Sequence, residues 1–171
     1  MDAAAQDGQA ASGLPAAWAD TASWSVLDTD FGHGDRFLSI CNAWRSDPRR
    51  PRMLHYVAVS DATTALAAAL QAQLSNLGHG FHRIYWDAGQ ISLTYCVGDV
   101  PSLLTQHRFQ ADTVFAGVLT DKWDVQRLTR RCRKGTRVHL RRPTPELASL
   151  MMDAGFTQVE TPYSNAAVFV F

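Results

Sequence analysis

Apolar residues along this chain switch between two spacings. Residues 24–28 (Trp-Ser-Val-Leu-Asp) form a short run that reads as a buried strand, stopping before the turn Gly32-His33-Gly34. Phe37, Leu38, Cys41 and Trp44 then recur at helical spacing, with Pro48 just beyond the helix. Residues 54–59 form a second strand-like run. Leu66, Leu70, Leu74 and Leu77 share one helical face, where Ser60 or Asp61 can cap the helix and Gly78 and Gly80 end it.

The alternation continues to the end of the chain. Residues 91–97 read as a strand stopped by Gly98-Asp99, 102–106 as a short helix, 113–116 as a strand, 122–132 as a helix and 136–140 as a strand. Pro145 suits the first turn of a helix reaching about Asp153, with Gly155 at its C-terminal cap. Residues 156–160 and 166–171 predict a closing antiparallel pair. Continuously apolar strands alternating with helices predict a doubly wound α/β domain with a mostly parallel sheet. The Ala/Gly/Gln/Ser-rich residues 1–17 are expected to form a flexible N-terminal lead, and 18–171 a single domain.

Composition narrows this picture. With 171 residues and 46% hydrophobic content, the chain can bury a core without a disulfide or metal staple. Its 16 basic and 16 acidic side chains cancel formally, but the distribution is uneven. Arginine outnumbers lysine 14 to 2, and Arg45, Arg49, Arg50 and Arg52 form one basic cluster. Residues 127–142 hold the second, which includes Arg130, Arg131, Arg133 and Arg137. Two readings stay open for these clusters: solvated helix ends and a loop, or an arginine-lined face for the phosphates of RNA. Cys41, Cys96 and Cys132 lie far apart with no metal-ligand spacing, which predicts buried thiols in a reducing compartment. The N-terminus lacks the pattern of a signal peptide, and uncharged residues 62–82 are too polar for a membrane span. A cytoplasmic location is expected.

Candidate chemistry lies after the strands, where ligands bind in such sheets. The first strand end, residues 28–35, carries Asp28, Asp30, Gly32 and Gly34. Glycines before a helix allow close backbone approach, while the aspartates disfavour a pyrophosphate and suit a ligand with an ammonium group. Asp61 can accept from ribose hydroxyls or cap a helix, and Asp99 can accept an adenine amino proton or cap the next turn. Residues 78–82 (Gly-His-Gly-Phe-His) lack a third ligand and read as a polar surface loop, so no metal is expected. No nucleophile elbow, P-loop or HExxH occurs.

One family is recognisable in these residues. The segment from Trp24 to Leu38 resembles the opening "VLETGFGTGLNFL" of the methyltransferase domain of the bifunctional enzymes that build 5-methylaminomethyl-2-thiouridine at the tRNA wobble position. Leu14-Pro15 and Trp18 are similar to its "LPxxW". Residues 43–45 and 50–56 match its first helix and second strand, and residues 93–100 its "LxxxxGDV". Asp121-Lys122-Trp123 and Ala154-Gly155-Phe156 match two later junctions, so the resemblance spans about residues 14–160. It implies a Rossmann-like class I methyltransferase fold with S-adenosylmethionine as cofactor and tRNA as partner. Gly32 and Gly34 would face the methionine part, Asp99 the adenine, and Asp28 and Asp61 complete the candidate cofactor contacts.

Departures from the pattern are equally legible. Asp30 replaces the family's first loop glycine, Ser60 its ribose-binding Glu, and Ala116 the acid of its "FLDGFAP" strand end. The chain is expected to lack the family's front segment and its oxidase domain. The resemblance therefore implies a diverged methyltransferase, with a catalytically inactive module for RNA or protein binding as the alternative. No catalytic residue is assigned.

Overall fold

A computed structural model describes residues 13–60, 65–100, 102, 105, 109–117, 119–159 and 166–171. Eight strands are present among them: β1 (Ser23–Asp28), β2 (Met53–Ser60), β3 (Gly80–Trp86), β4 (Ile91–Val97), β5 (Ala111–Ala116), β6 (Cys132–Arg141), β7 (Thr157–Val159) and β8 (Ala166–Val170). Four α-helices accompany them: α1 (Asp35–Ser46), α2 (Ala68–Leu74), α3 (Lys122–Thr129) and α4 (Pro145–Asp153). The strands form one sheet in the order β3-β4-β2-β1-β5-β6-β8-β7. β4, β2, β1, β5 and β6 pair in parallel, and β8 is antiparallel to both β6 and β7.

Two apolar layers cover the sheet. On one face, Phe37, Ile40, Cys41 and Trp44 of α1 pack with Leu14, Trp18, Tyr56 and Leu93. On the other, Val125 and Leu128 of α3 and Met151 of α4 pack on Val114, Val138 and Phe169. All three cysteines are buried and free, and burial pushes each thiol up to about 12. No helix among the described residues is long and apolar enough to cross a membrane.

The expected strands and the closing antiparallel pair are present, with four differences. Residues 80–86, expected within a surface loop and the stretch after it, form strand β3, antiparallel to β4 at the sheet edge. Ser60 ends β2 rather than opening α2, and its carbonyl accepts from the Gly98 N–H at 3.0 Å. α2 starts only at Ala68, without a side-chain cap, while Asp61 lies outside the described residues. α3 ends at Thr129, and the remainder of the expected helix enters β6 through a bulge. There Arg133 N–H donates to Thr136 Oγ1 at 2.8 Å, and Gly135 takes φ +90°. The short helix expected at 102–106 falls mostly outside the described residues.

Candidate functional site

A doubly wound sheet opens its ligand crevice where strand order reverses, at the carboxyl ends of the strands. Here the reversal falls at β1, between β2 and β5. The chain fills this crevice with its own groups. Thr29 N–H donates to the Phe115 carbonyl at 2.9 Å, and Gly117 N–H donates to Thr29 Oγ1 at 2.9 Å. A Cβ at Gly117 would lie 3.1 Å from Asp30 Cβ, so glycine lets the two loops touch.

Asp28 ends β1 with its side chain fully buried. Arg36 Nη1, from the first turn of α1, reaches both carboxylate oxygens at 2.9 Å and the Asp30 carbonyl at 3.2 Å. The Tyr56 hydroxyl donates to Asp28 Oδ2 at 2.6 Å, and the guanidinium lies 4.7 Å from the centre of the Phe115 ring. Burial alone would lower the Arg36 pKa, but Asp28, Tyr56 and Asp30 outweigh it and hold it above its ordinary value. Burial first, then Asp28, pushes Tyr56 well above its ordinary value. The Arg36–Asp28 ion pair is thus closed within the cluster, and the raised pKa of Tyr56 keeps its phenol neutral.

The glycine turn beside this cluster keeps its backbone form. Gly32 and Gly34 take φ +56° and +88°; nothing lies within 4 Å of a Cβ at Gly32, whereas one at Gly34 would run into Leu70 and Phe31. The turn is tied to the approach to α2, because Ala67 N–H donates to the His33 carbonyl at 2.9 Å and the His33 ring meets the Ala65 carbonyl. Asp30 is half-exposed, with Arg141 Nη2 at 3.9 Å. Asp99 is exposed and accepts the Ser102 N–H at 2.9 Å, and that bond first of all lowers its pKa. It thus acts as a turn cap in this arrangement.

Sequence reasoning missed His139, beside Phe115 in the sheet register. Its ring lies 5.0 Å from the Phe115 ring and is 6% exposed, and neither ring nitrogen has a hydrogen-bond partner. Burial, then Arg137 and Arg36, lowers its pKa to about 3, so it is neutral.

Comparisons with known proteins bear on this fold and site. No protein-family model matches the chain. The tRNA 5-methylaminomethyl-2-thiouridine biosynthesis bifunctional protein MnmC of Polaromonas sp. (strain JS666) is 35% identical over 88% of this chain and 28% of its own length. The MnmC of Paracidovorax citrulli is 39% identical over 74% of this chain and 24% of its own length. The crystal structure of MNMC2 from Aquifex aeolicus superposes over 94% of this chain and 57% of its own, with TM-score 0.68 and 13% identity. The chain belongs with the methyltransferase part of MnmC. It spans less than a third of the length of these MnmC relatives. A ribosomal protein L11 methylase from Lactobacillus delbrueckii subsp. bulgaricus (TM-score 0.54, 12% identity, 85% of this chain, 67% of that one) shares the fold. The architecture is the Rossmann-like class I methyltransferase fold.

Against the MnmC segment, Arg36 falls where "GLNFL" has Asn, and this substitution was the signal for the closed cluster. The four arginines offered for RNA do not share one surface. Arg130 is exposed at the end of α3, whereas Arg131 is 9% exposed with its guanidinium 5.9 Å from the Phe109 ring. Arg133 pairs with Asp112, and Arg137 lies beside Gly13 with its Nε buried and unpartnered. The earlier cluster is also engaged: Arg45 pairs with Asp87 at 2.7 Å, and Arg50 covers the Trp44 ring at 4.5 Å.

S-adenosylmethionine carries an ammonium group, a carboxylate and a ribose diol. The described residues do not fit it in this arrangement. The Asp28 carboxylate, which suits an ammonium, is taken by Arg36 and Tyr56, and Asp61, the candidate for the diol, lies outside the described residues.

Proposed function

We propose that this chain is a diverged S-adenosylmethionine-dependent methyltransferase-like protein, related to the tRNA wobble-uridine methyltransferases, that works as a catalytically inactive module binding RNA. One observation carries this reading: a guanidinium of the chain itself neutralises Asp28 at the mouth of the strand-order crevice. Two departures support it. Asp30 brings a carboxylate and a Cβ into the loop that the family leaves to glycine. Ala116 has no proton acceptor, which methylation of an amine commonly needs. RNA engagement is supported by Arg130, Lys134 and Arg142, exposed and without a carboxylate partner among the described residues.

A second reading, retained cofactor binding, has the positive-φ turn at Gly32 and Gly34 in its favour. Withdrawal of Arg36 would free Asp28 for it. Calorimetric titration with S-adenosylhomocysteine separates the two. The natural chain is expected to give no heat at millimolar ligand, and Asp30→Gly combined with Arg36→Asn is expected to gain saturable binding. Saturable binding by the natural chain at micromolar ligand would overturn the inactive reading in favour of the second.

A further inference from the structure

The sheet face opposite α1 carries a cavity of about 500 Å³, away from the β1–α1 loop. Its floor is built by sheet register. Ser25, His55, Ser92 and Tyr85 stand in one row across β1, β2, β4 and β3. One pleat further, Val57, Thr94 and Arg83 form a second row. Neighbouring strands lie about 4.8 Å apart and same-face residues about 7 Å apart along a strand, so these groups converge within one small-molecule length. Phe109 and Gln110 complete the wall.

This lining differs from an ordinary sheet interior. β4 turns Ile91, Leu93, Tyr95 and Val97 to the apolar layer, but Ser92 and Thr94 to the cavity, at 7% and 6% exposure. His55 Nδ1 lies 2.9 Å from Ser92 Oγ, and Arg83 Nε donates to Thr94 Oγ1 at 3.4 Å. Among the described residues the lining holds one guanidinium, one imidazole and several hydroxyls, and no carboxylate. Arg83 has no ion-pair partner among the described residues. Tyr85, 58% exposed, and half-buried Phe109 offer ring surfaces beside these donors. Cavities of this size with a few convergent polar groups suit small ligands, and a guanidinium beside hydroxyls suits an oxyanion.

We propose that this cavity binds a small ligand carrying an oxyanion on a planar aromatic body, the anion held by Arg83 with the Ser92 and Thr94 hydroxyls and the ring set against Tyr85 and Phe109. A nucleotide phosphate and an aromatic carboxylate share this chemistry. The site is independent of the crevice at β1, so loss of the reading given above leaves it standing.

Calorimetry on the full chain tests it with four probes: uridine 5′-monophosphate, uridine, 4-hydroxybenzoate and inorganic phosphate. Saturable binding of uridine 5′-monophosphate, of 4-hydroxybenzoate or of both is expected, and which of them binds tells the source of the anion. Arg83→Gln is expected to weaken that binding about tenfold or more, and Tyr85→Ala to weaken it without changing the far-ultraviolet spectrum. Arg83 and Tyr85 are exposed, so both variants should fold. The proposal is overturned if neither anionic aromatic binds at 10-fold excess over a roughly millimolar Kd. It also fails if uridine or phosphate alone binds as tightly, or if Arg83→Gln leaves affinity unchanged.

Discussion

At the scale of single residues, the decisive contact is Arg36 on Asp28. A buried ion pair does not stabilise merely by existing, because desolvation offsets the attraction, but removing one partner strands the other. Arg36→Met is therefore expected to destabilise the fold by about 3 kcal/mol. Asp28→Asn combined with Arg36→Met should recover part of that loss, and denaturant titration of the two single variants and the double closes the cycle. His139 gives a pH signature. Its native pKa, about 3, is depressed below the ordinary 6.5, so the unfolded chain takes up a proton that the native ring refuses. Stability is complete above about 6.5 and falls by about 1.4 kcal/mol per pH unit below it, down toward 3. His139→Phe, which keeps a ring against Phe115, should remove this slope. Melting temperatures of both proteins between pH 7.5 and 4.5 read it directly, and parallel curves would contradict it.

At the scale of elements, chain punctuation decides where each piece begins. Asp121 accepts the N–H groups of Trp123 and Asp124 at 2.8 and 2.9 Å, and Thr144 accepts that of Leu147 at 3.2 Å, so α3 and α4 start where the sequence says they should. Gly34→Ala is expected to cost about 1–3 kcal/mol, since φ +88° and the crowding by Leu70 and Phe31 both oppose a methyl group. Thermal unfolding checks it against Gly32→Ala, where the strain is similar but the space is open. The periodic signal exposed the parallel strands and α1, because their apolar faces are buried and dense. It failed for β3, where Phe81, Arg83 and Tyr85 alternate with His82, Ile84 and Trp86. An edge strand exposed on one face carries large side chains on both, so no clean polar alternation marks it. It also ran α3 three residues long, because the bulge at Gly135 that turns residues 132–136 into strand depends on the long-range bonds Gly135 N–H to Phe171 O at 2.7 Å and Phe171 N–H to Thr136 O at 3.0 Å.

At the scale of the whole molecule, the sequence displayed the crevice but not its contents. Positions 28–36 were legible as the strand end where a ligand belongs. That Tyr56 closes over Asp28, and that Asp30 meets Gly117, depends on β1 lying between β2 and β5, the latter 83 or more residues later, which no local pattern encodes. The same holds for charge. Two arginine clusters in the sequence become a scatter of ion pairs and ring contacts, and within the second cluster Arg130, Lys134 and Arg142 are exposed with no carboxylate partner among the described residues. If RNA binds there, Arg130→Ala with Arg142→Ala should weaken tRNA binding and lower the slope of log affinity against log salt by about 2. Filter binding across a salt series measures both, and an unchanged slope would move the RNA surface elsewhere.

The burial of all three thiols has a practical consequence. Cys41 sits in the layer beneath α1, while Cys96 and Cys132 sit in the layer on the opposite face. With each thiol held near 12 and out of contact with solvent, a thiol reagent meets no reactive sulfur until the fold opens. The chain therefore carries its own clocks: modification of Cys41 times the opening of one layer, and modification of Cys96 or Cys132 that of the other. A new cysteine placed on the surface would be labelled against a silent background.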